Sequence, residues 1–371
     1  MKKLIAIAVV FALVVGTAFA VDLSADVDAF ANVFEYSNAP GAKVKASADF
    51  DAIRLSGAGE LADGKFGGNV RLDFVDGGVL LSPSHGVLGQ GLAWWKPIDQ
   101  FKLTLGQSNA KGGMGWGKEG VTGWGFNQKA YGTHVALGSD NVWGRAWGGF
   151  IPGYLYYRDV FAADIDENTP GLYMEIKPFD MLGINIGFKD FNGDWGRDFF
   201  ADNFVFQVDL NFAFGNIALT MKEGSIFMYY GGSFGAISLD IGLSVPDLVG
   251  VAGTTFSFYR IYFGAGLKYS AGAFGIKFRT ATGIPANSLQ TFDVLFDVLP
   301  YFQINDNFSV FVNAGMGMVI KNGLKELGWA FNPYIRIGAE WGPSFYVGIQ
   351  AGGKKGGNVD FALPIGITVG F

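Results

Sequence analysis

A chain of 371 residues with 57 Gly, 36 Phe, 14 Tyr and 9 Trp, carrying a net charge of only −6, is too aromatic and too weakly charged to be disordered. It has no cysteine, which excludes a disulfide framework, a thiolate metal site and a lipid-anchored N-terminal Cys. Its acidic balance, with a pI near 5.0, argues against nucleic acid as a partner.

Residues 1–20 read as a secretory signal: Lys2 and Lys3 form a charged start, Leu4 to Val15 an apolar run, and Ala18-Phe19-Ala20 a small-x-small cleavage site. The mature chain, 21–371, is expected to form one domain. Beyond residue 20 no apolar run reaches the length of a membrane-spanning helix, so a mean hydropathy of +0.26 must be distributed in another way. It is distributed with period two. Leu23, Ala25, Val27, Ala29, Ala31 and Val33 already alternate with their neighbours almost directly after the cleavage site, so no plug inserted from the N-terminus is expected.

Turn-forming residues follow at Asp63-Gly64 and Pro97-Ile98-Asp99. The longest connection, about 107–128, holds Trp116, Lys118, Glu119 and Trp124 among closely spaced glycines. Gly115 to Gly120 fits a GxGxxG pattern there, and Gly112 to Lys118 approaches a P-loop until Glu119 stands where Ser or Thr should be. Neither follows a buried strand and opens a helix, so the loop is read as a constriction folded into a barrel or as a surface display of its tryptophans. His85 and His134 are the two histidines of the chain, and no Ser or Asp can be tied to either, so no catalytic constellation and no enzyme activity are expected.

Further turns are expected at Ser139-Asp140-Asn141 and Pro178-Phe179-Asp180. Between 190 and 202, Asp190, Asp194, Asp198 and Asp202 match no EF-hand spacing, and no metal or cofactor is expected. The run 203–212 alternates most clearly, with Phe204, Phe206, Val208, Leu210 and Phe212 on one face and Gln207, Asp209 and Asn211 on the other. The same alternation occupies 182–189 and 237–244, with turns at Phe214-Gly215-Asn216, Ser233-Phe234-Gly235, Ala271-Gly272, Asn305-Asp306-Asn307 and Gly342-Pro343.

Aromatic residues mark the ends of the apolar faces. Tyr259 and Tyr269 bracket Ile261, Phe263, Ala265 and Leu267; Trp329 and Trp341 bracket Phe331, Pro333, Ile335, Ile337 and Ala339. At roughly 3.3 Å per residue and a tilt near 40°, ten residues rise about 25 Å, the height of a lipid-facing band between two aromatic girdles. Strands crossing hydrocarbon must satisfy every backbone N–H and C=O among themselves, so the wall has to close on itself. Nine short turns, joining strands pairwise with a first and last strand left over, give an all-β transmembrane antiparallel up-and-down β-barrel of 20 strands, with 16 or 18 as alternatives.

The face opposite the apolar one carries Asp26, Asp28, Lys43, Lys45, Asp49, Asp51, Arg71, Asp73, Glu175, Asp209, Arg260, Lys268, Lys277, Arg279, Arg336, Glu340 and Asp360. Ions so numerous are costly in a dry interior, and a water-filled lumen is the simpler account. Acids are expected on the first strand and its last-strand neighbour, near Asp360, and cations on the two strands holding Arg260, Lys268, Lys277 and Arg279.

In this pattern the chain resembles bacterial outer-membrane β-barrel proteins, the general porins most nearly, over essentially the whole mature length. The resemblance implies an integral outer-membrane protein that passes small hydrophilic solutes passively, contacts outer-membrane lipid, and depends on the barrel-assembly machinery. It also implies that Phe361, Ile365, Ile367, Val369 and Phe371 on the last strand act as the assembly signal. A homotrimer is compatible with the apolar outer face. Two other readings stay open: a fatty-acid-type channel for hydrophobic substrates, for which Tyr262, Leu295, Leu299 and Tyr301 would line the lumen, and a surface adhesin or structural barrel with an occluded lumen.

Overall fold

Alternating side chains demand two different environments on the two faces of a strand, and the fold supplies them by closing one antiparallel sheet into a ring. The computed structural model describes residues 20–38, 40–61, 63–76, 79–80, 88–108, 167–189, 204–222, 225–245, 260–285, 291–338 and 343–370. Their strands are β1 (Ala20–Ser37), β2 (Lys45–Glu60), β3 (Phe66–Asp76), a two-residue β4 (Val79–Leu80), β5 (Leu88–Ile98) and β6 (Phe101–Ser108). Next come β7 (Glu167–Phe179), β8 (Leu182–Lys189), β9 (Phe204–Phe212), β10 (Gly215–Lys222), β11 (Ser225–Phe234), β12 (Ile237–Val245), β13 (Arg260–Ala271) and β14 (Phe274–Pro285). The chain ends in β15 (Thr291–Asn305), β16 (Phe308–Lys321), β17 (Leu324–Gly338), β18 (Ser344–Gly348), β19 (Gln350–Lys354) and β20 (Val359–Gly370).

These form one 20-stranded sheet, in which each strand pairs antiparallel with its sequence neighbours and β1 pairs with β20. Two segments do not add to the circumference. β4 is a short spur on β3, and β18 and β19 are halves of one strand, since both lie between β17 and β20. The described ring therefore has eighteen wall strands, an even number that places the start of β1 and the end of β20 at one rim. β6 pairs directly with β7, so the ring closes without the intervening 109–166, where the turn at Ser139-Asp140-Asn141 had been expected; that turn lies outside the described residues.

The rim at which β1 begins and β20 ends also carries tight turns, and seven of the nine expected from sequence fall there, from Asp63-Gly64 to Asn305-Asp306-Asn307; Gly342 of the Gly342-Pro343 turn lies outside the described residues. At Gly272 the backbone takes φ +57, a left-handed conformation that lets the chain reverse between β13 and β14 at no steric cost. At the other rim Asn322 (φ 50) and Gly323 (φ 104) do the same between β16 and β17.

The two faces are sharply distinct along β17. Trp329, Phe331 and Ile337 are 37 to 48 % exposed, whereas Ala330, Asn332, Tyr334 and Arg336 on the alternate positions are at most 5 % exposed. An exposed apolar face on the convex side of a closed ring is the face that lipid covers.

Between β15 and β20 three hydrogen-bond ladders break at a single level, each at a proline, while the β16–β17 ladder runs through it. The β15–β16 register skips Leu299 and Pro300, the β17–β18/β19 register skips Asn332 and Pro333, and the β20 register with β18/β19 skips Leu363 and Pro364. Proline has no N–H to donate, so each ladder loses a bond there. In β1 the same level carries a bulge between Asn32 and Glu35.

Candidate pore lining

Register decides which residues share a level on the inner face. Lys102, Glu175, Asn185, Gln207 and Thr220 form one row across β6 to β10. Lys102 Nζ lies 3.7 Å from Glu175 Oε2. Thr220 Oγ1 donates to Gln207 Oε1 at 3.0 Å. Asp209, 5 % exposed, accepts hydrogen bonds from Gln207 Nε2 at 3.0 Å and from Asn185 Nδ2 at 3.1 Å. A carboxylate so placed must be held by N–H donors, because an unpaired buried charge would cost far more than any of these bonds returns.

The opposite wall differs in character. Tyr301, Phe311 and Tyr334 stack across β15 to β17, with ring centroids 5.8 and 4.6 Å apart. Tyr346 continues the group at 6.4 Å from Tyr334. The Arg336 guanidinium stands 5.1 Å from the Phe311 ring centre, and the Lys277 ammonium 5.9 Å from that of Tyr301. Beside this stack Asn313, Asn332 and Gln350 occupy one row, and no side-chain amide atom of the three meets a hydrogen-bond partner among the described residues. Leaving such groups dry and unpaired costs about 1–3 kcal/mol each.

Several residues expected at the lumen have described side chains. Arg336 lies on the buried face, and Glu175 and Asp209 sit in the wall cluster. Lys268 is opposite Lys277 across β13–β14, and Arg71 of β3 is opposite Ser56 and Gln90. Lys43, Lys45 and Asp360 gather at the far rim with Glu35 around a recess of about 160 Å³. For Asp26, Asp28, Asp49, Asp51, Asp73, Arg260 and Arg279 the register alone is described: Asp26 and Asp73 each pair with Arg54, Asp28 with Ala52, Asp49 with Phe30, and Arg279 with Gly266 and Asp297. Asp51 has no partner in the β1–β2 register, being the extra residue of a bulge. Glu340, the loop residues Trp116, Lys118, Glu119 and Trp124, both histidines and the segment 190–202 lie outside the described residues.

The strands expected to pair do so, β1 with β20 and β13 with β14, but the wall next to β1 also carries cations. β1 does pair with β20, but Asp360 is level with Ser37, at the opposite rim from Asp22. Arg54 and Arg71 stand among the acids of β1 to β3, so that wall is mixed. Arg54 escaped the sequence reading because the bulge at Asp51 shifts the inner face from odd to even positions. Lys102 was also missed, although the alternation Phe101, Leu103, Leu105 places it with Thr104 on the wet side.

On the outer face Tyr269 and Trp329 are exposed as expected of girdle residues, whereas Tyr259 and Trp341 lie outside the described residues. The turn rim carries a band of aromatics that the sequence reading did not single out: Phe66 stacked on Trp95, with Phe179, Phe214, Phe234, Phe274 and Phe302, all exposed. Ile365, Ile367 and Val369 share the outer face of β20, opposite Ala31, Ala29 and Val27 of β1. Phe361 contacts Phe34 at 6.0 Å, and Phe371 lies outside the described residues.

No protein-family model and no curated protein matches the chain. Solved structures do resemble it in fold. OccK10 (OpdN) of Pseudomonas aeruginosa aligns with a TM-score of 0.54 at 11 % identity, covering 94 % of this chain and 98 % of its own. OccAB4 of Acinetobacter baumannii gives 0.52 at 11 % identity over 95 % and 98 %. The outer membrane protein opdK of Pseudomonas aeruginosa gives 0.51 at 9 % over 94 % and 99 %. The chain thus has the fold of a bacterial outer-membrane β-barrel.

Proposed function

We propose that the protein is an integral outer-membrane channel that lets small hydrophilic solutes diffuse passively through a water-filled lumen and carries out no chemistry on them. One observation carries this reading: inside a closed wall with an apolar exterior, the ions Lys102 and Glu175 stand on the inner face with their side chains 33 % and 18 % accessible, and charges there need water to solvate them. Water inside a closed wall is a conduit. The charged groups Lys102, Glu175, Lys277 and Arg336 on that same face are consistent with it.

A second reading has one specific feature in its favour. Leu299, fully buried, sits beside the Tyr301–Phe311–Tyr334 stack, and this apolar patch would suit a channel for hydrophobic substrates. Reconstitution into planar bilayers separates the two. The porin reading expects stepwise, ohmic single-channel conductance in KCl; a silent bilayer under conditions where the folded barrel inserts refutes it.

A further inference from the structure

We infer that the recess at the rim where β1 ends, between β1, β2 and β20, is a binding site for a small dipolar solute of the amino-acid class, whose carboxylate meets Lys43 and Lys45 and whose ammonium meets Asp360. The inference names a solute class for the channel proposed above and rests on that reading for its role in transport.

Register builds the recess. Glu35 of β1 is directly opposite Lys45 of β2 and Ala362 of β20, and two residues further along β1 Ser37 is opposite Asp360. Directly opposite residues of an antiparallel pair share a face, and Ala362, 1 % exposed, marks that face as the inner one. Ala42 and Lys43, in the connection from β1 to β2, complete a lining that encloses about 160 Å³. Asn38 fixes the mouth: its N–H donates to the Val359 carbonyl at 3.1 Å, and its Oδ1 accepts from the Val359 N–H at 2.7 Å. The connection is thereby tied to β20, and the two sides of the recess are held at a fixed separation.

The charges of the recess select the occupant. Lys43 and Lys45 are exposed and Asp360 is half-buried, so a solute reaches all three; Glu35, 8 % exposed, lies deepest. Among the described residues no carboxylate lies within 4.0 Å of either ammonium, and no cation within 4.0 Å of the Asp360 carboxylate. Two ammoniums and two carboxylates sum to zero, so the recess as a whole favours neither a simple anion nor a simple cation. A solute with one group of each sign aligns with both ends at once and gains a charge-assisted hydrogen bond at each. The Ser37 hydroxyl, opposite Asp360, is placed to give or accept a further bond. Sites for drug-sized ligands hold roughly 300–1,000 Å³, so this smaller recess restricts the occupant to a small solute. Ala42 offers its side chain an apolar contact.

The test titrates L-norvaline calorimetrically into the full barrel folded in detergent. Two analogues each lack one charge: pentanoate has no ammonium, and butylammonium has no carboxylate. Norvaline is expected to bind saturably and about tenfold or more tightly than either, as loss of one charge-assisted hydrogen bond predicts. Asp360→Asn should weaken norvaline by about tenfold or more and bring it level with pentanoate. Lys43→Gln/Lys45→Gln should weaken it by a similar factor and bring it level with butylammonium. Pentanoate should bind Asp360→Asn at least as tightly as it binds the parent, a result that a merely unfolded variant does not give. Norvaline no tighter than its analogues, or bound alike by the parent and both variants, would overturn the inference. Planar-bilayer currents keep the two readings apart. A silent barrel that still binds norvaline refutes the channel and keeps the site; a conducting barrel that does not bind it refutes the site alone.

Discussion

Tyr301 lies across Gly275 on the neighbouring strand, so closely that a Cβ built at position 275 would enter the phenol ring. Its hydroxyl shares a hydrogen bond of 3.0 Å with Ser270 Oγ, and Lys277 approaches its ring from above. Glycine in mid-strand is a poor strand former, and here the aromatic ring of the adjoining strand covers the gap. Gly275→Ala should therefore lower the stability of the folded barrel by about 1–3 kcal/mol, since the ring must leave its place. Tyr301→Phe, which keeps the ring and loses the hydroxyl, should cost about 0.5–1.5 kcal/mol. Urea titrations of the barrel in lipid vesicles check both, and an unshifted midpoint for Gly275→Ala would mean that the ring does not rest there.

Lys268 and Lys277 face each other across β13–β14, a like-charge pair that water must screen. Replacing Lys268 by Glu turns the repulsion into a cross-strand attraction, removing one positive charge from the local field and adding one negative charge. Cation preference, read as the reversal potential in a KCl gradient, should rise in Lys268→Glu and rise further in Lys268→Glu/Lys277→Glu, by about twofold or more in permeability ratio. Adding charge reversal at Arg260 and Arg279 should extend the trend. An unmoved reversal potential in all of these variants would remove the four cations from the conducting path.

Why some of this was legible in the sequence and some was not has a physical answer. The strands of 203–212 and 359–369 announce themselves because lipid and lumen impose opposite solvents on alternate residues, and the tight turns do so because Gly, Asn, Asp and Pro have restricted roles. Bulges leave no comparable mark. The extra residue at Asp51 reverses the phase of β2, hiding Arg54, and the bulge between Asn32 and Glu35 does the same in β1. Rows across strands are harder still. Asn313, Asn332 and Gln350 become neighbours through register alone, and nothing in the order of residues fixes that register.

Asp99, in the turn between β5 and β6, titrates outside the membrane-spanning part of the wall. The Lys96 ammonium, hydrogen-bonded to its carboxylate at 2.9 Å, holds the carboxyl below its ordinary value, and the charge of Lys65 adds to the effect. A carboxyl with a lowered folded-state pKa stabilises the fold above the unfolded value, and that contribution disappears as the pH falls through the ordinary carboxylate range towards the lowered one. The urea midpoints of the parent and of Asp99→Asn should therefore differ at neutral pH and converge in acid. Because the carboxylate is fully exposed, salt of about 0.5 M should shrink the difference as well. A difference that grows on acidification would assign the opposite sign to this pair.

Lys102 and Glu175 offer a test in which stability and conduction separate. Their 3.7 Å approach across β6–β7 is long for an ion pair and partly exposed, so breaking it should cost less than about 1 kcal/mol. Lys102 also stands 5.5 Å above the Trp94 ring, which keeps the ammonium in place after its partner is lost. Glu175→Gln should then leave a positive charge facing the lumen and raise anion preference, whereas Lys102→Met leaves the carboxylate and raises cation preference. The double variant removes both charges, and its reversal potential should return close to that of the parent. Such sign inversion with restoration is expected of two opposite charges acting on the same ion stream. If the single variants shift selectivity in the same direction, one of the two residues acts through the barrel's shape and is not a lumen charge.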